Sequence, residues 1–197
     1  MTSKAGSEYR DRAEDLQTEG ELKEASQYFT LAAYEYLGDC EYPGGRGLSS
    51  AISLGDAIYC LQSAATNYYR AGLQDRAENR CRQGILVCRD FRENRSTYRA
   101  IDGVLTECIA DFELIAGIGD PTATYEDAVS YYQDVDEAVQ WQSEPIFQST
   151  LHFLLSWASD IGESIDQSEQ LEVLDSFEKR VELKEETLSM LLGENVD

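Results

Sequence analysis

Lysine is scarce in this chain. Of 197 residues only Lys4, Lys23, Lys179 and Lys184 are lysines; lysine and arginine together number 16 against 38 acids, a formal net charge of −22. Such a chain repels polyanions at long range and repels itself when compact. Salt relieves the self-repulsion, because the Debye length falls to about 3 Å at 1 M. The expectation is an acidic, cytoplasmic protein from a salt-loving microbe.

Histidine occurs once, as His152 within "STLHFLLSW". Its apolar neighbours suggest a partly buried, hydrogen-bonded ring rather than a catalytic one. The five cysteines, Cys40, Cys60, Cys81, Cys88 and Cys108, include no C-x-x-C pair. Without close ligand pairs no metal site is expected. The cysteines read as small, reduced core residues. The chain has no G-x-S-x-G, no P-loop and no H-E-x-x-H, so neither catalysis nor a cofactor is expected. "GIGDP" holds a G-x-G but follows a helical segment, not a strand, so it is no dinucleotide fingerprint.

Long apolar runs are missing too. The most apolar stretch, "IFQSTLHFLLSWASDI", is broken by Gln148, Ser149 and His152 and is too short to span a bilayer. The opening "MTSKAGSEYRDRAEDL" is polar and charged, unlike a signal peptide. No segment alternates apolar and polar residues over a useful length, so no strand is expected.

What the chain does have is helical periodicity cut by glycine and proline. Helices are expected over about 7–19, 21–36, 48–71, 73–92, 97–116, 125–141, 145–161 and 167–192. Ser96 or Thr97 would cap the fifth and Thr124 the sixth. Pro145 would open the seventh. "GDCEYPGGRG", Gly38 to Gly47, reads as a loop. The last helix carries a stripe of Leu174, Phe177, Val181, Leu188 and Leu191, interrupted by a polar site near Lys184. Eight helices make four hairpins.

A frame repeats among them. Gly20 is followed by Ala25, Phe29 and Ala32; Gly72 by Ala77, Cys81 and Gly84; the frame recurs without its glycine at Ala128, Tyr132 and Val135. The glycine suits a left-handed turn between antiparallel helices. The small residues let neighbouring helices approach, and the larger one fills the gap. A near-constant period is the mark of stacked repeats.

This frame resembles the tetratricopeptide repeat. The family's first-helix pattern is met loosely by Tyr9, Arg12, Ala13 and Leu16, and again by Leu61, Ala64, Ala65 and Tyr68. Its second-helix pattern is met by Ala25 and Phe29 and half met by Ala77 and Cys81. The long spacing is more similar to the soluble NSF-attachment proteins. The best matches span residues 6–92. The resemblance implies a single all-α domain over 1–197, a stack of antiparallel helical hairpins (an α-solenoid), with 145–192 as a C-terminal capping hairpin. It also implies a non-enzymatic adaptor or scaffold that binds a protein partner. The alternative is an enzyme or small-ligand carrier with a pocket between helices.

In the family the inner surface comes from the first helix of each hairpin. That implies Arg10, Tyr59, Tyr69 and Arg70 as partner-facing residues, alongside the reading that the Gly38–Gly47 loop covers them. Tyrosine and arginine are frequent interface anchors. Lysines and asparagines that would grip a chain-terminal carboxylate are missing from those positions.

Charge is unevenly spread. Between Arg70 and Arg99 lie eight arginines and four acids, whereas no lysine or arginine falls between Ala100 and Glu178. The basic stretch could bind nucleic acid, dock an acidic partner or pair with the acidic half of its own chain. On a helical wheel Arg76 and Arg80 flank one side of the Ala77–Cys81–Gly84–Cys88 face, and Arg82 and Arg89 the other. A phosphate-tracking groove wants one stripe, so pairing with carboxylates is favoured.

Overall fold

The computed structural model describes residues 4–40, 48–94, 98–133, 144–160 and 177–193. They form eight helices: α1 (Lys4–Thr18), α2 (Leu22–Cys40), α3 (Leu48–Arg70), α4 (Gln74–Asn94), α5 (Arg99–Ala116), α6 (Pro121–Tyr132), α7 (Glu144–Asp160) and α8 (Phe177–Gly193). Among the described residues there is no strand. From α1 to α6 each helix packs on the next, giving the stack of hairpins expected.

The first three hairpins turn in one way. Gly20 and Gly72 have φ of 82° and 71°, a left-handed conformation open to glycine at little cost. At the first turn Gly20 N–H donates to Gln17 O (3.0 Å) and Glu21 N–H to Leu16 O (2.9 Å). At the second, Gly72 N–H donates to Tyr69 O and Leu73 N–H to Tyr68 O, each at 2.9 Å. Gly117 repeats the arrangement on Leu114 and Glu113. These are Schellman closures, which satisfy carbonyls left open at a helix end. The third unit thus has a turn glycine after all. It stands farther from Ala128 than Gly20 does from Ala25, because the connection to α6 is longer.

The repeat positions lie in the core: Ala25, Phe29, Ala32, Cys81 and Ala128 are fully buried. At Gly84 the ring of Phe112 comes to 2.3 Å of where a Cβ would stand, so the α4–α5 contact needs the missing side chain. Val135 lies outside the described residues.

Two helix starts differ from expectation. α6 begins at Pro121, not Tyr125. Asp120 is its cap, accepting from Ala123 N–H at 3.2 Å, while Thr124 donates instead to Glu113 Oε2 at 2.7 Å. Proline is favoured at a first helical position because its missing N–H is one the helix leaves open anyway. Tyr98 takes the cap position of α5 without a side-chain bond; Ser96 and Thr97 lie outside the described residues. α2 runs through Gly38 to Cys40, and 41–47 lie outside as well.

The chain order breaks after α6. α7 lies chiefly along α3, four helices earlier in the chain, and α8 packs on α5, α6 and α7. α3 is therefore covered on nearly every side, and from Ala57 to Tyr68 each residue is buried. Its sequence suits that position, since Asp56 and Arg70 are the only charges in 23 residues.

Candidate functional site

α7 packs along α3, with smaller contacts to α5 and α8. α7 buries Ile146, Phe147, Thr150, Phe153, Leu154, Trp157 and Ala158, one stripe at three- and four-residue steps. Gly55 permits the approach. A Cβ there would stand 2.9 Å from Pro145 O and 3.1 Å from Ile146 Cα, so any side chain would push α7 away.

Arg10 and Tyr59 meet under this helix. Arg10 Nη1 lies 3.2 Å from Asp56 Oδ1, and its Nε 3.7 Å from Glu14 Oε1. Tyr59 donates from its hydroxyl to the same Glu14 oxygen at 3.1 Å. Tyr59 is only 2 % exposed, and its ring stacks on His152 of α7 at 5.2 Å. Burial and the Glu14 carboxylate both push the Tyr59 phenol up. Burial also holds the Asp56 carboxyl above its ordinary value, against the pull of Arg10 and His152. His152 is exposed, contrary to the expectation of a partly buried ring, with its ring packed on Tyr59 at the edge of the α3–α7 contact.

At the other end of α3 the fit loosens. Gln17, Ser63, Thr66, Asn67, Arg70, Phe153, Ser156 and Trp157 line a shallow open cleft with enclosed room for about one water. Asn67 donates to Gln17 Oε1 at 2.6 Å, and Arg70 Nη1 lies 3.4 Å from Asn67 Oδ1. The buried Trp157 indole N–H has no partner among the described residues. Of the four residues singled out in the sequence, Arg70 lines the cleft and Tyr69 stands half-buried beside it. Arg10 and Tyr59 belong to the interior network below α7. Gln17 was legible as an outward position of the first helix; sequence reasoning missed Asn67 and Trp157, and the return of α7 sets Trp157 beside the other two.

A second cluster joins α8 to the stack. Lys184 is 2 % exposed. Its Nζ lies 2.9 Å from Asp111 Oδ2 and 3.2 Å from Glu107 Oε2, and both carboxylates are buried. Tyr125 donates to Asp111 Oδ1 at 2.7 Å, Gln62 Nε2 donates to Asp111 Oδ2 at 2.9 Å, and Tyr132 donates to Glu107 Oε1. Burial raises Asp111, outweighing Lys184 and Tyr125. Burial works the other way on Lys184, but Asp111 and Glu107 outweigh it and strengthen its hold on a proton. The sequence marked Lys184 as an interruption in an apolar stripe; nothing there distinguished Glu107 and Asp111 among 38 acids.

The arginines of α4 are spent on the protein's own surface. Arg76 lies over the Tyr68 ring at 5.8 Å. Arg82 pairs with Glu78 at 2.6 Å, Arg89 lies 3.8 Å from Glu113, and Arg92 donates to Thr106 at 3.0 Å. All five cysteines are free and buried. Among the described residues no cluster has the makings of a metal site, and no helix is long and apolar enough to cross a membrane.

No protein-family model matches the sequence, and no curated protein or solved structure matches it either.

Proposed function

We propose that this protein is a non-enzymatic adaptor that engages a helical segment of a protein partner at the cleft beside Arg70. The observation that supports this reading is the seating of α7. An amphipathic helix remote in sequence from α3 buries Ile146, Phe153 and Trp157 as it packs along α3. A surface that receives one helix by apolar anchors suits others of the same character. The repeated turn at Gly20, Gly72 and Gly117 supports the tetratricopeptide-like reading of the stack. The charge of −22 supports a salt-rich, cytoplasmic setting.

The test is a partner pull-down from the native host at its own salt concentration, with Tyr69→Ala combined with Arg70→Ala. The double variant is expected to lose most of the bound partner and to melt within a few degrees of the parent. Normal binding, or a collapsed melt, would remove the cleft assignment.

One observation favours a second reading, a small-ligand carrier. The cleft combines the Gln17, Asn67 and Arg70 polar groups with the unpartnered Trp157 indole N–H. A ligand accepting from that N–H would alter Trp157 fluorescence on titration, an outcome the adaptor reading does not require.

A further inference from the structure

The cluster around Lys184 holds more than an ion pair requires. A lysine amine and an aspartate carboxyl stand in contact, a second carboxylate touches the same amine, and a phenol donates to the aspartate's far oxygen. All of it is closed off from solvent: Lys184, Asp111 and Glu107 are exposed by 2 %, 1 % and 0 %. The surroundings are mostly apolar or aromatic, with Ala110, Val129 and Val181 in the adjoining cluster, and Gln62 Nε2 donates to Asp111 Oδ2 at 2.9 Å.

We propose that Lys184 and Asp111 condense to an intramolecular amide that ties α8 covalently to α5, with Glu107 carrying the protons. The geometry supplies each part. With both carboxylates ionised the cluster would hold a net negative charge in a dry interior, which is costly. One proton on Asp111 makes it neutral. A neutral Asp111 no longer helps to hold the proton on Lys184, and Glu107 Oε2, 3.2 Å from Nζ, accepts it and leaves a free amine. The Nζ lone pair attacks Asp111 Cγ, forming the C–N bond and placing negative charge on Oδ1. The Tyr125 hydroxyl, 2.7 Å from Oδ1, donates to that charge as an oxyanion-hole group does. Glu107 then returns its proton to Oδ2, the C–Oδ2 bond breaks, and water leaves. The remaining excess proton on nitrogen passes to Glu107. An ammonium, a carboxylic acid and a carboxylate have become an amide, a water and a protonated Glu107. Charge is conserved, and nothing is oxidised or reduced.

Two physical terms favour the step. Groups held in contact react as though at very high concentration, with effective molarities of about 10⁵ M and above for well-oriented pairs. The product also replaces an ammonium in a low-dielectric site by a neutral amide. That amide keeps two of the partners, since its carbonyl accepts from Tyr125 and its N–H faces Glu107, while Gln62 gives up Oδ2 as its acceptor. The inference is independent of the adaptor reading.

The experiment is intact-mass spectrometry of the purified full-length chain, followed by tryptic digestion. The mass is expected to fall below that of the sequence by one water. No trypsin site lies between Ala100 and Glu178. Residues 100–179 and 181–197 should therefore appear joined in one species, uncut after Lys184. Lys184→Arg and Glu107→Gln should each give the full mass of their own sequence and three separate pieces, 100–179, 181–184 and 185–197. A parent protein at full mass overturns the proposal, and that measurement does not depend on any variant folding. So does a water deficit without the joined species, which would point to a cyclic imide instead. A joined species persisting in Glu107→Gln overturns the mechanism given to Glu107.

Discussion

At the scale of single residues, two glycines carry different burdens. Gly72 has a φ of 71° with open space around it, so its constraint is conformational alone. Gly72→Val should cost at least about 1–2 kcal/mol, the left-handed penalty for a residue with a Cβ, read from urea midpoints at constant m-value. Gly55 is helical, and its constraint is the backbone of α7. Gly55→Val should cost about 1–3 kcal/mol through overpacking, and should shift tryptophan emission as α7 moves off. Gly72 was legible in the sequence, because a glycine between two helical periodicities has few other uses. Gly55 was not, because a small residue within a helix says nothing about which element comes near it. Lys184 falls between these cases. Its place in an apolar stripe was visible, whereas its partners, four residues apart on α5, looked like any other acids.

At the scale of elements, the helices of the first two hairpins lie within a few residues of the positions their periodicity predicts. α6 shows where that reasoning slipped. Pro121 reads as part of a turn, yet it opens the helix, and Asp120 is the cap. Which helix lies against which is another kind of information. The sequence of α7 shows an apolar stripe, but its partner is set by surface shape far away in the chain. α3 carried a hint, with only two charged residues in 23, the mark of a helix covered all round. The α7 contact can be measured through Trp157, which is 2 % exposed. Trp157→Ala should destabilise by about 3–5 kcal/mol, the usual range for a large core aromatic. If the loss is below about 1 kcal/mol in chemical denaturation, α7 contributes little to the fold, and the surface's fitness for helices loses its support.

At the scale of the whole molecule, charge should govern stability. With a net charge of −22, the melting temperature should climb from 0.1 M to 3 M salt as repulsion is screened. Equal melts at both would sink the salt-adapted reading. Acidity should act in the same direction. Burial raises Asp56 above its ordinary 3.8, so the folded chain binds this proton more tightly than the unfolded one. The contribution is complete below 3.8 and is lost as pH rises through the raised value. Stability in low salt should therefore increase as pH falls through the raised value toward 3.8. Asp56→Asn, which leaves Arg10 an acceptor, should flatten the slope. The return of α7 onto α3 also changes how the molecule should respond to a pulling force. An array in which each unit touches only its neighbours can peel away from its ends in small steps. Here the strand of contacts doubles back, so tension applied between the two termini loads α7 and α3 together. An optical-trap trace should show one large extension in which α3 and α7 give way at once, and the Gly55→Val chain should yield at lower force.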